Sequence, residues 1–152
     1  MPESTSQSIQ TENAPAPVGP YPHARKVGPL LFVSGMGPRQ PKTGEIPGGP
    51  IRHPDGSPRE YDIAAQTRAT IENIRAVLHA SNAQLEDIVD ITVFLVDMQR
   101  DFPTFNQVYG EYFATIGPTR TTVEVRALPT PIAVELKAIA CLPPPKTPTQ
   151  EP

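Results

Sequence analysis

The sequence predicts a two-layer α+β domain, a mixed sheet carrying two helices on one face, and three observations lead there. Two stretches, 119–128 and 133–141, alternate apolar and polar residues with the period of two that marks a strand with one buried and one solvated face. Two others, beginning at Asp62 and Asp101, repeat apolar residues at helical spacing along one side. The elements follow one another as strand, helix, strand, helix and a closing strand pair, an order that packs as helices segregated onto one sheet face.

Leu30-Leu31-Phe32-Val33-Ser34, opened by Gly28-Pro29 and closed by Gly35, is a short apolar run that fits a strand buried on both faces. From Gly37 to Tyr61 the chain is polar and crowded with glycine and proline, including the turn signal Asp55-Gly56, so a surface loop is expected there. Asp62 is the N-cap candidate of a helix running to Ser81-Asn82. Its packing face carries Ile63, Thr67, Ile71, Ile74 and Leu78, and its outer face Arg68, Glu72 and Arg75. Ile88 to Val96 is rich in β-branched residues and reads as a central strand. The second helix is expected to start at an Asp101 cap with Pro103 near its first turn. Phe105, Val108, Tyr112, Phe113 and Ile116 form its stripe, and Gly117 ends it.

In the first closing strand Thr121, Val123, Val125 and Ala127 share the expected buried face, and Arg120, Thr122, Glu124 and Arg126 the polar one. In the second, Val134, Leu136, Ala138 and Ala140 oppose Glu135 and Lys137. The connector Pro129-Thr130-Pro131-Ile132 is short enough for an antiparallel hairpin, each proline removing a donor where the ladder should stop. Arg120 and Glu135 are therefore expected on one polar sheet face that no helix covers. Two readings of the pair stand at this level. It is a solvated cross-strand ion pair worth about 0.2–1 kcal/mol, or the arginine fork holds a substrate carboxylate while the glutamate positions a water.

A chain of 152 residues suits one domain. Its formal charge of −3 weighs against a general nucleic-acid binder, whose affinity rests on cations facing phosphates. Cys141, the single cysteine, has no partner for an intrachain disulfide and reads as a small apolar residue near a strand end. No apolar run approaches the ~20 residues that span a bilayer, and no basic-then-apolar signal opens the chain, so a cytoplasmic protein without a membrane partner is expected. His23, His53 and His79 lie far apart in sequence and no metal site is expected. His79, near a helix end, reads as a solvated or dipole-complementing residue. There is no nucleophile elbow, phosphate-binding glycine loop or dinucleotide fingerprint. Chemistry must then run on carboxylate, guanidinium, hydroxyl and water, with no cofactor. The prolines, 21 in all, crowd toward both ends. Residues 1–10 and the proline-rich 143–152 are expected to be disordered tails.

Pro118-Thr119-Arg120-Thr121-Thr122-Val123-Glu124-Val125, with Leu128-Pro129 and Val134-Glu135-Leu136-Lys137-Ala138-Ile139-Ala140, resembles the closing signature of the RidA (YjgF) family of imine deaminases. Glu12-Asn13-Ala14-Pro15-Ala16-Pro17-Val18-Gly19-Pro20-Tyr21 is similar to the family's opening and Phe32-Val33-Ser34-Gly35 to its first core strand. Pro41-Lys42-Thr43-Gly44-Glu45 resembles its following turn, and Phe105 to Phe113 its second helix. The resemblance spans 11–142 and leaves about 49–60 as an insertion.

The resemblance implies a chorismate-mutase-like domain that forms a homotrimer with sites in the clefts between subunits. It also implies cofactor-independent hydrolysis of small carboxylate-bearing imines or enamines to ammonia and an oxo acid. Arg120 matches the carboxylate-binding arginine and Glu135 the glutamate that assists the water. Tyr21, Asn106, Ser34, Gly35 and Thr122 match residues lining the cleft. Thr122 stands where many members carry a reactive cysteine, so thiol chemistry is not expected there. Pro22-His23, the 118–123 segment and the longer loop look most like the 2-aminomuconate deaminase branch, whose substrate carries a second carboxylate. Arg126, His23, Arg39, Arg52 and Arg59 are the candidates to hold that group. A trimeric binder of 2-keto acids without turnover is the alternative, and Glu135 discriminates, because a pure carboxylate binder gains nothing from a second negative charge.

Overall fold

The computed structural model describes residues 6–145. Its strands are β1 (Ser6–Ile9), β2 (Ala24–Val27), β3 (Leu30–Met36), β4 (Ile88–Leu95), β5 (Thr119–Glu124) and β6 (Val134–Cys141), and its helices α1 (Ile63–Ala80) and α2 (Met98–Phe113). A short 3-10 turn, Leu85–Asp87, leads into β4. All six strands form one mixed sheet in the order β1-β2-β3-β6-β4-β5. Leu31, Val33, Ile91, Val93, Leu95, Leu136, Ala138 and Ala140 line one face and are buried under Ile71, Ile74 and Leu78 of α1 and Phe105 and Phe113 of α2. The expected two-layer α+β architecture is the one observed.

Asp62 caps α1 as expected, its Oδ1 accepting from the Ala65 N–H at 3.2 Å. The second helix starts earlier than the proline signal suggested. Asp97 is its cap, accepting from the Arg100 N–H at 3.0 Å, and Pro103 lies inside it. Asp101 is instead buried, and the Tyr61 hydroxyl donates to it at 2.6 Å. β3 alternates buried Leu31 and Val33 with exposed Leu30 and Phe32, so only one of its faces is covered, not both as its apolar composition suggested. β1 and β2 went unforeseen because Ser6-Gln7-Ser8-Ile9 and Ala24-Arg25-Lys26-Val27 are short and half polar. Part of the expected N-terminal tail is thus a strand. The expectations for residues 1–5 and 146–152 lie outside the described residues.

The largest correction concerns the closing pair. β5 and β6 are not a hairpin: β5 pairs parallel with β4 on the sheet edge, while β6 lies between β3 and β4 and runs antiparallel to both. A strand followed by a helix and returned to the same sheet direction is a βαβ unit, and β4, α2 and β5 make one. The 125–133 connector then crosses two strand spacings, about 10 Å, to start β6 beyond β4. Register carries the consequence: Arg120 sits beside inward Ile91 and Thr122 beside inward Val93, whereas Val123 sits beside Phe94, which pairs with Glu135 on the open face. Arg120 and Glu135 therefore face opposite sides of the sheet. The open face is also less polar than expected, since Phe32, Phe94, Ile139 and Val123 accompany Glu135, Lys137 and Thr92 there.

Candidate active site

Glu135 is placed by β6 between the buried Val134 and Leu136, which fixes its side chain toward the open face. The register shift in β3 between Val33 and Met36 brings Gly35 against it. A Cβ on Gly35 would come within 2.6 Å of Glu135 Oε2, so glycine is what leaves space for the carboxylate. Glu135 is half-buried and makes no hydrogen bond to the described residues. Burial pushes its pKa above the ordinary carboxylate range, and the Lys137 charge offsets this in part. The cavity beside it, about 40 Å³, is lined by Tyr21, Ser34, Gly35, Arg39 and Thr130 among others. That is room for a few waters and too little for a whole substrate.

The loop that carries Tyr21 is held by a buried histidine. His23 Nδ1 accepts from the Thr11 N–H at 3.2 Å, so Nε2 bears the proton and donates to the Pro15 carbonyl at 2.8 Å. With both ring nitrogens engaged by the backbone, His23 is a strut and not a side chain free to hold a substrate group. The Ser34 hydroxyl donates to the Pro22 carbonyl at 2.8 Å, and the Tyr21 hydroxyl accepts from the Val18 N–H at 3.3 Å. Tyr21, Ser34, Gly35 and Glu135 thus come together in one pocket.

Arg120, Thr122 and Asn106 do not join them. The Arg120 guanidinium lies 4.6 Å from the Tyr109 ring centre and 5.8 Å from those of Phe102 and Phe105. Cation–π attraction to such rings is worth about 0.5–2 kcal/mol and favours keeping the guanidinium beside them. No described residue accepts a hydrogen bond from it or pairs with it. Five donors in a plane that meet no acceptor among the described residues have the geometry to take a planar anion such as a carboxylate. Thr122 follows on the same strand face, and Asn106 is exposed on α2 beside Phe105. Tyr109 was not foreseen. Its hydroxyl is buried without a hydrogen-bond partner among the described residues, and burial raises its pKa while Arg120 offsets part of that. The available signal was the 102, 105, 109 spacing, which places three rings on one side of α2.

Among the described residues no group of three His, Cys, Asp or Glu side chains could hold a metal ion, and no helix is long and apolar enough to cross a membrane. Of the other candidate cations, Arg39 borders the Glu135 pocket, Arg59 lies in the cleft beside it, and Arg52 and Arg126 line a separate groove.

A family profile described as Endoribonuclease L-PSP matches residues 11–142. The 2-iminobutanoate/2-iminopropanoate deaminase of Escherichia coli K12 is 40% identical over 139 residues, covering 89% of this chain and 97% of that protein. A RutC family protein of Pyrococcus horikoshii is 46% identical over 132 residues, covering 87% and 94%. The YjgF gene product of E. coli superposes with a TM-score of 0.75 at 38% identity, over 89% of this chain and 98% of that one. E. coli TdcF, solved with bound serine, gives 0.75 at 36% identity over the same shares. A profile match through 11–142 and relatives alike along nearly their whole length agree with the mixed sheet and its two helices: the chain belongs to the RidA (YjgF) family.

Proposed function

We propose that this protein is a hydrolytic deaminase of small carboxylate-bearing imines and enamines, with each site built from two copies of the chain. The observation that carries the reading is the division just described. A desolvated carboxylate lies in a pocket too small for substrate, and an arginine whose donors meet no acceptor among the described residues lies on the opposite side of the sheet. The open face, with Phe32, Phe94, Ile139 and Val123, is apolar enough to be covered by another copy. A heterologous contact that closes as a homotrimer would set Arg120 of one copy near Glu135 of the next.

In that site Arg120 binds the substrate carboxylate bidentately and Glu135 takes a proton from the attacking water. Water adds to the protonated C=N carbon to give a carbinolamine. The amine leaves with the returned proton as ammonia, and the carbon becomes the carbonyl of the oxo acid. An enamine enters the same route after protonation at carbon. Neither a cofactor nor a metal takes part. Tyr21, Ser34 and Gly35 line the water side, and Asn106 and Thr122 the carboxylate side. The E. coli relative named as an imine deaminase supports the reaction class. Within that class we favour an enamine dicarboxylate such as 2-aminomuconate.

Two measurements test the reading. Light scattering should give about three times the chain mass, as closed cyclic assembly requires; a monomer at micromolar concentration would defeat the shared site. Ammonia release from freshly generated 2-aminoacrylate and 2-aminomuconate should exceed the buffer rate, and no acceleration with any imine would replace the deaminase by a carboxylate binder.

A further inference from the structure

Beside the Glu135 pocket lies a second, more open cleft of about 680 Å³, formed between the 39–50 segment and Arg59. The two spaces adjoin, because Arg39 and Thr130 line both. Two guanidinium groups and one carboxylate, Glu45, face the cleft, which leaves it net positive in a chain of net charge −3. Arg39 gives one N–H to the Ala16 carbonyl at 2.9 Å. No described residue accepts a hydrogen bond from the Arg59 guanidinium or forms an ion pair with it.

The cleft is built into the fold. Gly49 has a φ of +85°, and a Cβ there would lie 3.0 Å from Arg59 Nη2, so the absence of a side chain lets the guanidinium rest against the backbone. Gln66, fully buried, donates to the Gly49 carbonyl at 2.9 Å and accepts from the Ala133 N–H at 2.8 Å. The Ile51 N–H donates to the Pro131 carbonyl at 3.0 Å. Both ties lead to the residues just before β6, so the Arg59 loop is fixed relative to the strand that carries Glu135. A buried amide used in this way holds position at the expense of tolerance to change.

We propose that the cleft between Arg39 and Arg59 is an anion subsite that takes the distal carboxylate of a dicarboxylic imine or enamine whose reacting carbon lies at Glu135. The inference rests on Glu135 being the site of hydrolysis and adds the group that sets selectivity. Arg59 is a positioning residue. It holds the far end of the substrate and does not touch the reacting atoms, so it acts on dicarboxylates and not on monocarboxylates.

The test compares 2-iminoglutarate with 2-iminobutanoate, each released in place by an amino-acid oxidase, on wild type, Arg59→Gln and Arg59→Lys. Arg59 is exposed, so its variants should fold. Arg59→Gln should lower kcat/KM for the dicarboxylate about tenfold or more and leave the monocarboxylate within about twofold, with Arg59→Lys between. An unchanged ratio, or equal losses on both substrates, overturns the subsite while leaving the deaminase intact. Calorimetry with 2-oxoglutarate and 2-oxobutanoate runs alongside. If wild type hydrolyses neither imine, the deaminase reading fails, and the subsite then stands only if Arg59→Gln weakens 2-oxoglutarate and not 2-oxobutanoate.

Discussion

The Glu135 region and the Arg120 region solve opposite problems. Around Glu135 the chain withdraws water from an anion: a glycine makes space, a buried histidine fixes the neighbouring loop, and the carboxylate has no hydrogen bond among the described residues. Around Arg120 it prepares a cation, placing the planar group beside aromatic rings while its donors meet no acceptor among the described residues. A carboxylate with raised proton affinity suits a base, and a presented fork suits a binder. The difference is what the proposed shared site would require, each region supplying one half of it.

Removing the base should have the largest effect. Glu135→Gln keeps shape and hydrogen bonding, so turnover should fall by at least about tenfold, a floor below the ~10²–10⁴ typical of acid–base catalysis, while a non-reactive keto acid binds as before. Burial raises the Glu135 pKa, so its ionised form destabilises the fold as pH rises from the unfolded-state pKa to the folded one. Glu135→Gln should therefore not lower Tm at neutral pH, and turnover as fast as wild type would end the proposed role.

Arg120→Lys retains charge and loses the fork. We expect a loss of about 1.5–3 kcal/mol in recognition, read as kcat/KM together with keto-acid affinity. Equal values for variant and wild type would return Arg120 to a packing role. Gly35→Ala then probes the other half from the side: the new Cβ must displace the Glu135 carboxylate. Turnover should drop about tenfold, below the ~10² that a 1 Å misplacement can cause, with keto-acid binding little changed. A loss confined to binding would break the division of labour.

The smallest effect is on pH dependence. Glu135 must be ionised to act as base, so kcat/KM should fall on acidification through a pKa above the ordinary carboxylate range. Lys137 lowers that pKa, and Lys137→Met should move the acid limb upward. A limb that stays in place, or moves down, would assign it to another group.

Much of this division was absent from the sequence for a definite reason. Alternation in 119–128 states which residues share a face, and Arg120 and Thr122 do share one, but it does not say which face the helices cover. The polar character of Arg120 suggested solvent, whereas the rings of Phe102, Phe105 and Tyr109 make the helix side hospitable to a guanidinium. Strand order was equally hidden. A short proline-flanked connector looks like a hairpin unless the preceding β4–α2–β5 crossover is recognised as fixing a parallel pair. By contrast, Ile63, Thr67, Ile71, Ile74 and Leu78 were legible because burial of an interior helix face leaves a direct periodic trace, and all five are buried.

The most direct test of the shared site is complementation. Arg120→Ala and Glu135→Gln chains, each impaired at least about tenfold alone, are unfolded together, refolded as a mixture, and assayed for ammonia release from 2-aminoacrylate. In a head-to-tail assembly some clefts receive Arg120 from one variant and Glu135 from the other, so random assortment should restore about a quarter of wild-type activity per site. Mixed assemblies, verified by mass, that remain as inactive as either parent would contradict the account.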